Sequence, residues 1–177
     1  FAHFLWARRR DELEAVFKGF GLDLDVLGVE ALGRAIKDSG IREALIEGAD
    51  LLAMTHRQVR GGDRERARLW WSAADSADDH VDRKRLRSAF VANDQAKIRA
   101  AAEEFVWETM PPAAAVDMAA NITAVLGHET AKTVFRRIVA RHPRVFEAQQ
   151  GLASCLSECA DPRDVADFVL SPFAPED

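Results

Sequence analysis

Apolar residues along this chain recur three and four positions apart, in segments of roughly 11–20 residues, which is the spacing of one buried helical face. Breakers separate the segments: Gly19–Gly21, Ser39-Gly40, Gly61-Gly62-Asp63, Asp78-Asp79, Asn93-Asp94, Pro111-Pro112, Gly127, Pro143 and Asp161-Pro162. Gly, Asn and Asp at such joints suit helix caps, and Pro112 and Pro162 suit a first helical turn. The pattern predicts about nine helices with connections of two to five residues, and short connections set neighbours antiparallel. β-Branched runs are scarce and tyrosine is absent, so the expected fold is all-α.

One phrase recurs. Gly127, Ala131 and Phe135 end in Pro143; upstream, Gly62, Ala67, Trp71 and Ala74 end in Asp78-Asp79. Ala67 and Trp71 return 34 residues later as Ala101 and Phe105, and a further block brings Val165 and Val169. Met54, Ala89, Ala119 and Ala153 fall at or beside small or apolar positions of the intervening helices. A small residue lets two helices approach closely, and an aromatic fills the gap to the next hairpin. A helix–turn–helix period near 34 resembles the tetratricopeptide repeat family, with degenerate repeats. The resemblance covers about residues 48–170. It implies antiparallel hairpins stacked as a short, right-handed α-solenoid. Residues 1–47 then form an N-terminal helical segment, read as a degenerate repeat or a membrane-proximal helix, and 171–177 a tail or linker.

Charge and cysteine content narrow the function. The net charge of −5 argues against a whole-surface attraction to nucleic acid or anionic lipid. Arg64, Arg66 and Arg68, and Arg83-Lys84-Arg85 with Arg87, could contact phosphates, but Asp63, Glu65, Asp75, Asp78, Asp79 and Asp82 make these mixed-charge faces. Trp70, Trp71 and Trp107 stand at core spacing rather than as a stacking platform. Cys155 and Cys159 lie four apart, a poor geometry for a disulfide, and fit a reducing compartment. No stretch reaches the roughly 20 apolar residues of a membrane span. Phe1-Ala-His-Phe-Leu-Trp6 followed by Arg8-Arg9-Arg10 reads either as an amphipathic first helix or as the cytoplasmic end of a membrane helix preceding Phe1, the chain then being a fragment.

Candidate chemistry is thin. Asp78-Asp79-His80-Val81-Asp82 has the spacing of a magnesium-diphosphate motif, but it falls at an inter-hairpin joint, where Asp caps a helix. His128-Glu129 begins a zinc-protease motif that Lys132 breaks. Asn121-Ile-Thr123 is a sequon inside a predicted helix. The five histidines share no ligand spacing, and no catalytic triad order or phosphate loop is present. The expectation is no catalytic residue, no metal and no cofactor.

The reading that follows is a cytoplasmic, non-catalytic interaction scaffold, or adaptor. It would bind a protein or peptide in a concave groove lined by the first helix of each hairpin. The resemblance places His56, Val59 and Arg60, then Arg83, Leu86, Phe90, Asn93 and Asp94, then Val116, Ala120 and Thr123, then Gln150, Ser154 and Ser157 in that groove. The family's carboxylate-clamping set is not reproduced. Two alternatives are a membrane-tethered scaffold of an envelope-polysaccharide or secretion assembly, and a regulatory domain of a larger enzyme. Phe4, Leu5 and Trp6 also suit a homo-oligomer contact.

Overall fold

The computed structural model describes residues 2–58, 62–107 and 110–159, with side chains from Ala7 onward. These residues form nine α-helices and no strand: α1 (Ala2–Gly19), α2 (Leu24–Lys37), α3 (Arg42–Gln58), α4 (Arg64–Ala77), α5 (Val81–Ala92), α6 (Gln95–Glu104), α7 (Pro112–Leu126), α8 (His128–Arg141) and α9 (Phe146–Glu158). Among the described residues no helix is long and apolar enough to cross a membrane.

The breakers do the work expected of them. Asp63 accepts the Arg66 N–H at 2.8 Å and starts α4, and Asp94 accepts the Lys97 N–H at 3.1 Å and starts α6. Pro112 sits in the first turn of α7. Asn93 closes α5 in the left-handed region, φ 52°, its N–H turned back to the Ala89 and Phe90 carbonyls. Gly127 joins α7 to α8 at φ 82°, a conformation that a Cβ would strain. Asp161-Pro162 lies outside the described residues.

The chain divides into two compact units, residues 1–93 and 94–177. In the N-terminal unit α3 and α4 pack most extensively, α1 lies on α3, and α2 lies on α4. The Phe17 ring meets Trp70 edge-on at 5.0 Å, and Trp71 stacks on Phe90 at 5.5 Å. Helices α2 and α4 approach so closely at Gly33 that a Cβ there would stand 3.1 Å from the Ala73 carbonyl oxygen. In the C-terminal unit α8 packs on both α7 and α9, and α6 touches α7 and α8. Phe105 stacks on Trp107 at 4.4 Å, and the Trp107 indole N–H donates to the Ala102 carbonyl at 2.9 Å.

The recurring phrase marks packing positions. Ala67, Trp71, Ala74, Ala101, Phe105, Ala131 and Phe135 are all buried, as are Met54, Ala89 and Ala119. Ala153 is exposed, beside a buried Leu152. The middle phrase departs in its backbone: α6 stops at Glu104, and Phe105 reaches the core from an extended residue, φ −65° and ψ 135°. Val165 and Val169 lie outside the described residues.

Candidate interaction surface

In the N-terminal unit most of the described residues assigned to a groove are interior. His56, Arg83 and Phe90 are only 7%, 4% and 1% exposed, and each is held by internal partners. The His56 Nε2 lies 2.9 Å from Glu14 Oε1 on α1. Arg83 pairs with Asp78 and Glu43, and Phe90 lies under Trp71. Leu86 is buried as well. Asn93 is exposed and receives an Arg57 N–H, while Asp94 is occupied as the cap of α6. Gln150 and Ser154 are exposed one turn apart on α9 and present a polar strip. Val116, Ala120 and Thr123 are half-buried on α7, and the Thr123 hydroxyl donates to the Ala119 carbonyl. Val59 and Arg60 lie outside the described residues, as do the side chains of Phe4, Leu5 and Trp6.

His56 carries a pH signature. Burial lowers its pKa below the ordinary 6.5, and the Glu14 carboxylate opposes that without reversing it. The unfolded chain therefore binds the proton more tightly, and stability falls as pH drops below about 6.5. Urea melts of wild type and His56→Gln across that range should show a shallower pH slope in the variant; equal slopes would contradict the assignment.

The most ordered polar feature is an ion network that sequence spacing did not show. Arg87, only 1% exposed, grips Asp50 through Nε–Oδ1 at 2.6 Å and Nη2–Oδ2 at 2.7 Å. Its Nη1 lies 2.7 Å from Asp78 Oδ2. Arg83 reaches the same Asp78 at 2.8 Å and Glu43 at 2.9 Å. Asp78 also accepts the His80 N–H at 2.8 Å in the turn before α5, but the N-cap of α5 is His80 rather than the expected aspartate, and Asp78 stands at the C-cap of α4. Burial alone would raise the Asp78 carboxyl; Arg87, the His80 N–H and Arg83 together hold it below the ordinary value. Asp79 points elsewhere, to Arg42 at 2.6 Å, so the Asp-Asp-x-x-Asp motif does not converge on one point. The only sequence hint was Arg83 and Arg87 one turn apart on α5; Asp50, 37 positions away, could be placed only by the fold.

Clefts open in both units. In the C-terminal unit a cleft of about 330 Å³ runs between α6 and α8, with Arg99, Glu103, Thr130, Thr133 and Arg137 along its sides. Arg137 donates to the Glu103 carbonyl across it at 3.3 Å. In the N-terminal unit a smaller pocket of about 160 Å³ is walled by Arg57, Arg64, Arg68 and Glu65 over Ala67, Trp71 and Phe90, with Val91 and Asn93 at its rim. Arg57 donates to the Phe90 carbonyl at 3.1 Å and to Asn93 Oδ1. Glu65 is engaged with Arg68 at 3.0 Å. Among the described residues no carboxylate pairs with Arg57 or Arg64. Arg57 adjoins the predicted His56, but sequence position alone could not separate a buried neighbour from a pocket wall.

Cys155 on α9 and Cys159 at its C-cap are free thiols. Burial, then the neighbouring Cys159, pushes Cys155 up to about 11, which marks a packing residue rather than a reactive one. Among the described residues no group of His, Cys, Asp and Glu is arranged to hold a metal ion. No protein-family model matches the chain, and no curated protein and no solved structure matches it.

Proposed function

We propose that this chain is a helical-hairpin scaffold that binds a segment of a partner protein and has no catalytic centre of its own. The observation that carries the reading is packing between helices two apart in the chain, in two pairs within each unit. In the N-terminal unit α1 lies on α3 and α2 on α4; in the C-terminal unit α7 touches α9 and α6 touches α8. That register is the one stacked hairpins use, and it supports the tetratricopeptide-like solenoid reading. The Phe135 ring, seated on Gly151 of α9, is the aromatic-to-next-hairpin contact such stacking requires.

Partner surface on this reading comes from the clefts and the open strip of α9, in addition to Asn93 and Asp94. Arg83 is unsuited as an interface probe, because removing its charge would disturb the network beneath α5. Immobilised full chain is therefore compared with Gln150→Lys/Ser154→Glu and with Arg64→Gln in capture from the native lysate. The expected result is a partner held in a saturable, dose-dependent way and lost from at least one variant whose melting temperature is unchanged. A chain that captures nothing, or whose partner ignores every surface variant, would overturn the scaffold reading.

A further inference from the structure

We propose that the pocket between Arg57 and Arg64 is a seat for one carboxylate of an acidic peptide segment. The proposal rests on the scaffold reading and specifies the chemistry of what the N-terminal unit holds.

Four observations converge there. First, the charge is out of balance with the molecule. A chain with 29 acidic and 24 basic residues brings three arginines and one glutamate to this pocket, and that glutamate is already engaged by Arg68. Asp63, next to Arg64 in sequence, is occupied by the Arg66 N–H. The pocket lining thus carries a net charge of +2, three arginines against one glutamate that Arg68 already holds.

Second, Arg64 stands where a helix disfavours it. It is the first residue of α4, at the positive end of the helix dipole, and among the described residues no carboxylate pairs with it. Local rules broken without internal compensation are the mark of positions kept for binding.

Third, Arg57 is aimed but not neutralised. Its guanidinium is fixed by two neutral acceptors, the Phe90 carbonyl and Asn93 Oδ1. Five N–H donors in a planar fork leave it able to offer more to a carboxylate. Burial first, and then the field of Arg64, weaken its hold on its proton. Both effects would be relieved by an incoming negative charge.

Fourth, the size fits. A pocket of about 160 Å³ has room for a carboxylate and its methylene stem, not for a helix. Val91, 41% exposed at the rim, offers the stem an apolar contact. Trp71, packed flat on Phe90 beneath, keeps the floor rigid.

The test is a titration of the isotopically labelled full chain with N-acetyl-hexaglutamate, followed by NMR through the Trp71 indole N–H and the Arg57 side-chain N–H. Saturable shifts at both are expected. Affinity should drop about tenfold in Arg64→Gln, which removes one charge-assisted contact. Among the described residues no carboxylate pairs with Arg64, so the thermal melt of that variant should not fall. Arg57→Lys should also weaken binding, since it keeps the charge and loses the fork. Hexaglutamine should give no saturable shift. The proposal is overturned if hexaglutamate fails to saturate, if Arg64→Gln binds equally well, or if inorganic phosphate or an oligo-dT strand displaces hexaglutamate at lower concentration than free glutamate does. A lysate partner held equally by wild type and Arg64→Gln would remove this pocket and leave the scaffold reading standing. Hexaglutamate binding with no lysate partner would do the reverse.

Discussion

Replacing Arg87 with methionine should cost the N-terminal unit about 3–5 kcal/mol, the usual cost of breaking a buried ion pair from one side. Methionine keeps much of the volume, so the loss comes from the two carboxylates left behind. Asp50 is 6% exposed and Asp78 is 1% exposed, and neither can reach water to regain solvation. Arg83 would still hold Asp78, which puts the larger share of the damage on Asp50. Urea unfolding followed by circular dichroism measures it as a shift in midpoint at constant slope. A change under about 1 kcal/mol would mean the network is wet, with its charges screened as on a surface.

The same network has a sign in pH. The folded Asp78 carboxyl is held below its ordinary value of 3.8, so the stability it contributes is complete above that value and is lost as pH falls through the lowered one. Asp75 acts the other way: burial, resisted by Arg87, raises its pKa, so its charge weakens the fold above that value. Arg87 itself stays charged throughout. Burial works against its proton, but Asp50 and Asp78 outweigh that. Acid unfolding of wild type should therefore steepen below about pH 3.8, and Arg87→Met should flatten that limb.

Gly151→Ala should destabilise the C-terminal unit by about 1–3 kcal/mol, although alanine is the better helix former by nearly 1 kcal/mol. An added Cβ on α9 would sit 2.3 Å from Cε1 and 2.4 Å from Cζ of the Phe135 ring, with Cδ1 at 2.9 Å. Phe135 is buried and cannot swing away without opening the joint between α8 and α9. A Phe135→Leu background tests the cause, because it removes the ring edge and should turn Gly151→Ala from harmful toward neutral. Gly19→Ala serves as the control, since nothing stands within 4 Å of a Cβ there. If Gly151→Ala raised the melting temperature in the wild-type background, close packing at this joint would be the wrong account.

Among the described residues, helix number and most joints were legible in the sequence, because these joints carry residues whose backbone chemistry favours a break. Asp63, Asp94, Asn93, Pro112 and Gly127 all act locally, within four residues of where they stand. The small and aromatic positions of the recurring phrase were legible too, since burial at helical spacing leaves a periodic trace. The site was not. His56, Arg83 and Phe90 look like groove residues when each hairpin is considered alone, and become interior when Glu14, Asp78 and Trp71 arrive from other helices. A polar side chain on a helix does not say in the sequence whether it meets water or a distant carboxylate. Residue Phe105 shows the same limit in the backbone: its aromatic position was periodic, but the end of α6 just before it was not.

The Arg87 network changes how the N-terminal unit comes apart. Stacked hairpins that touch only their neighbours can melt one at a time from either end, each with its own free energy. Here Asp50 belongs to α3, Asp78 closes α4, and Arg83 and Arg87 belong to α5. Lifting α5 away takes the cations from both carboxylates at once, whereas lifting α3 leaves Arg87 its contact with Asp78, so the expected cost of opening falls mostly on α5. Opening of this unit is therefore expected to couple α5 to both α3 and α4.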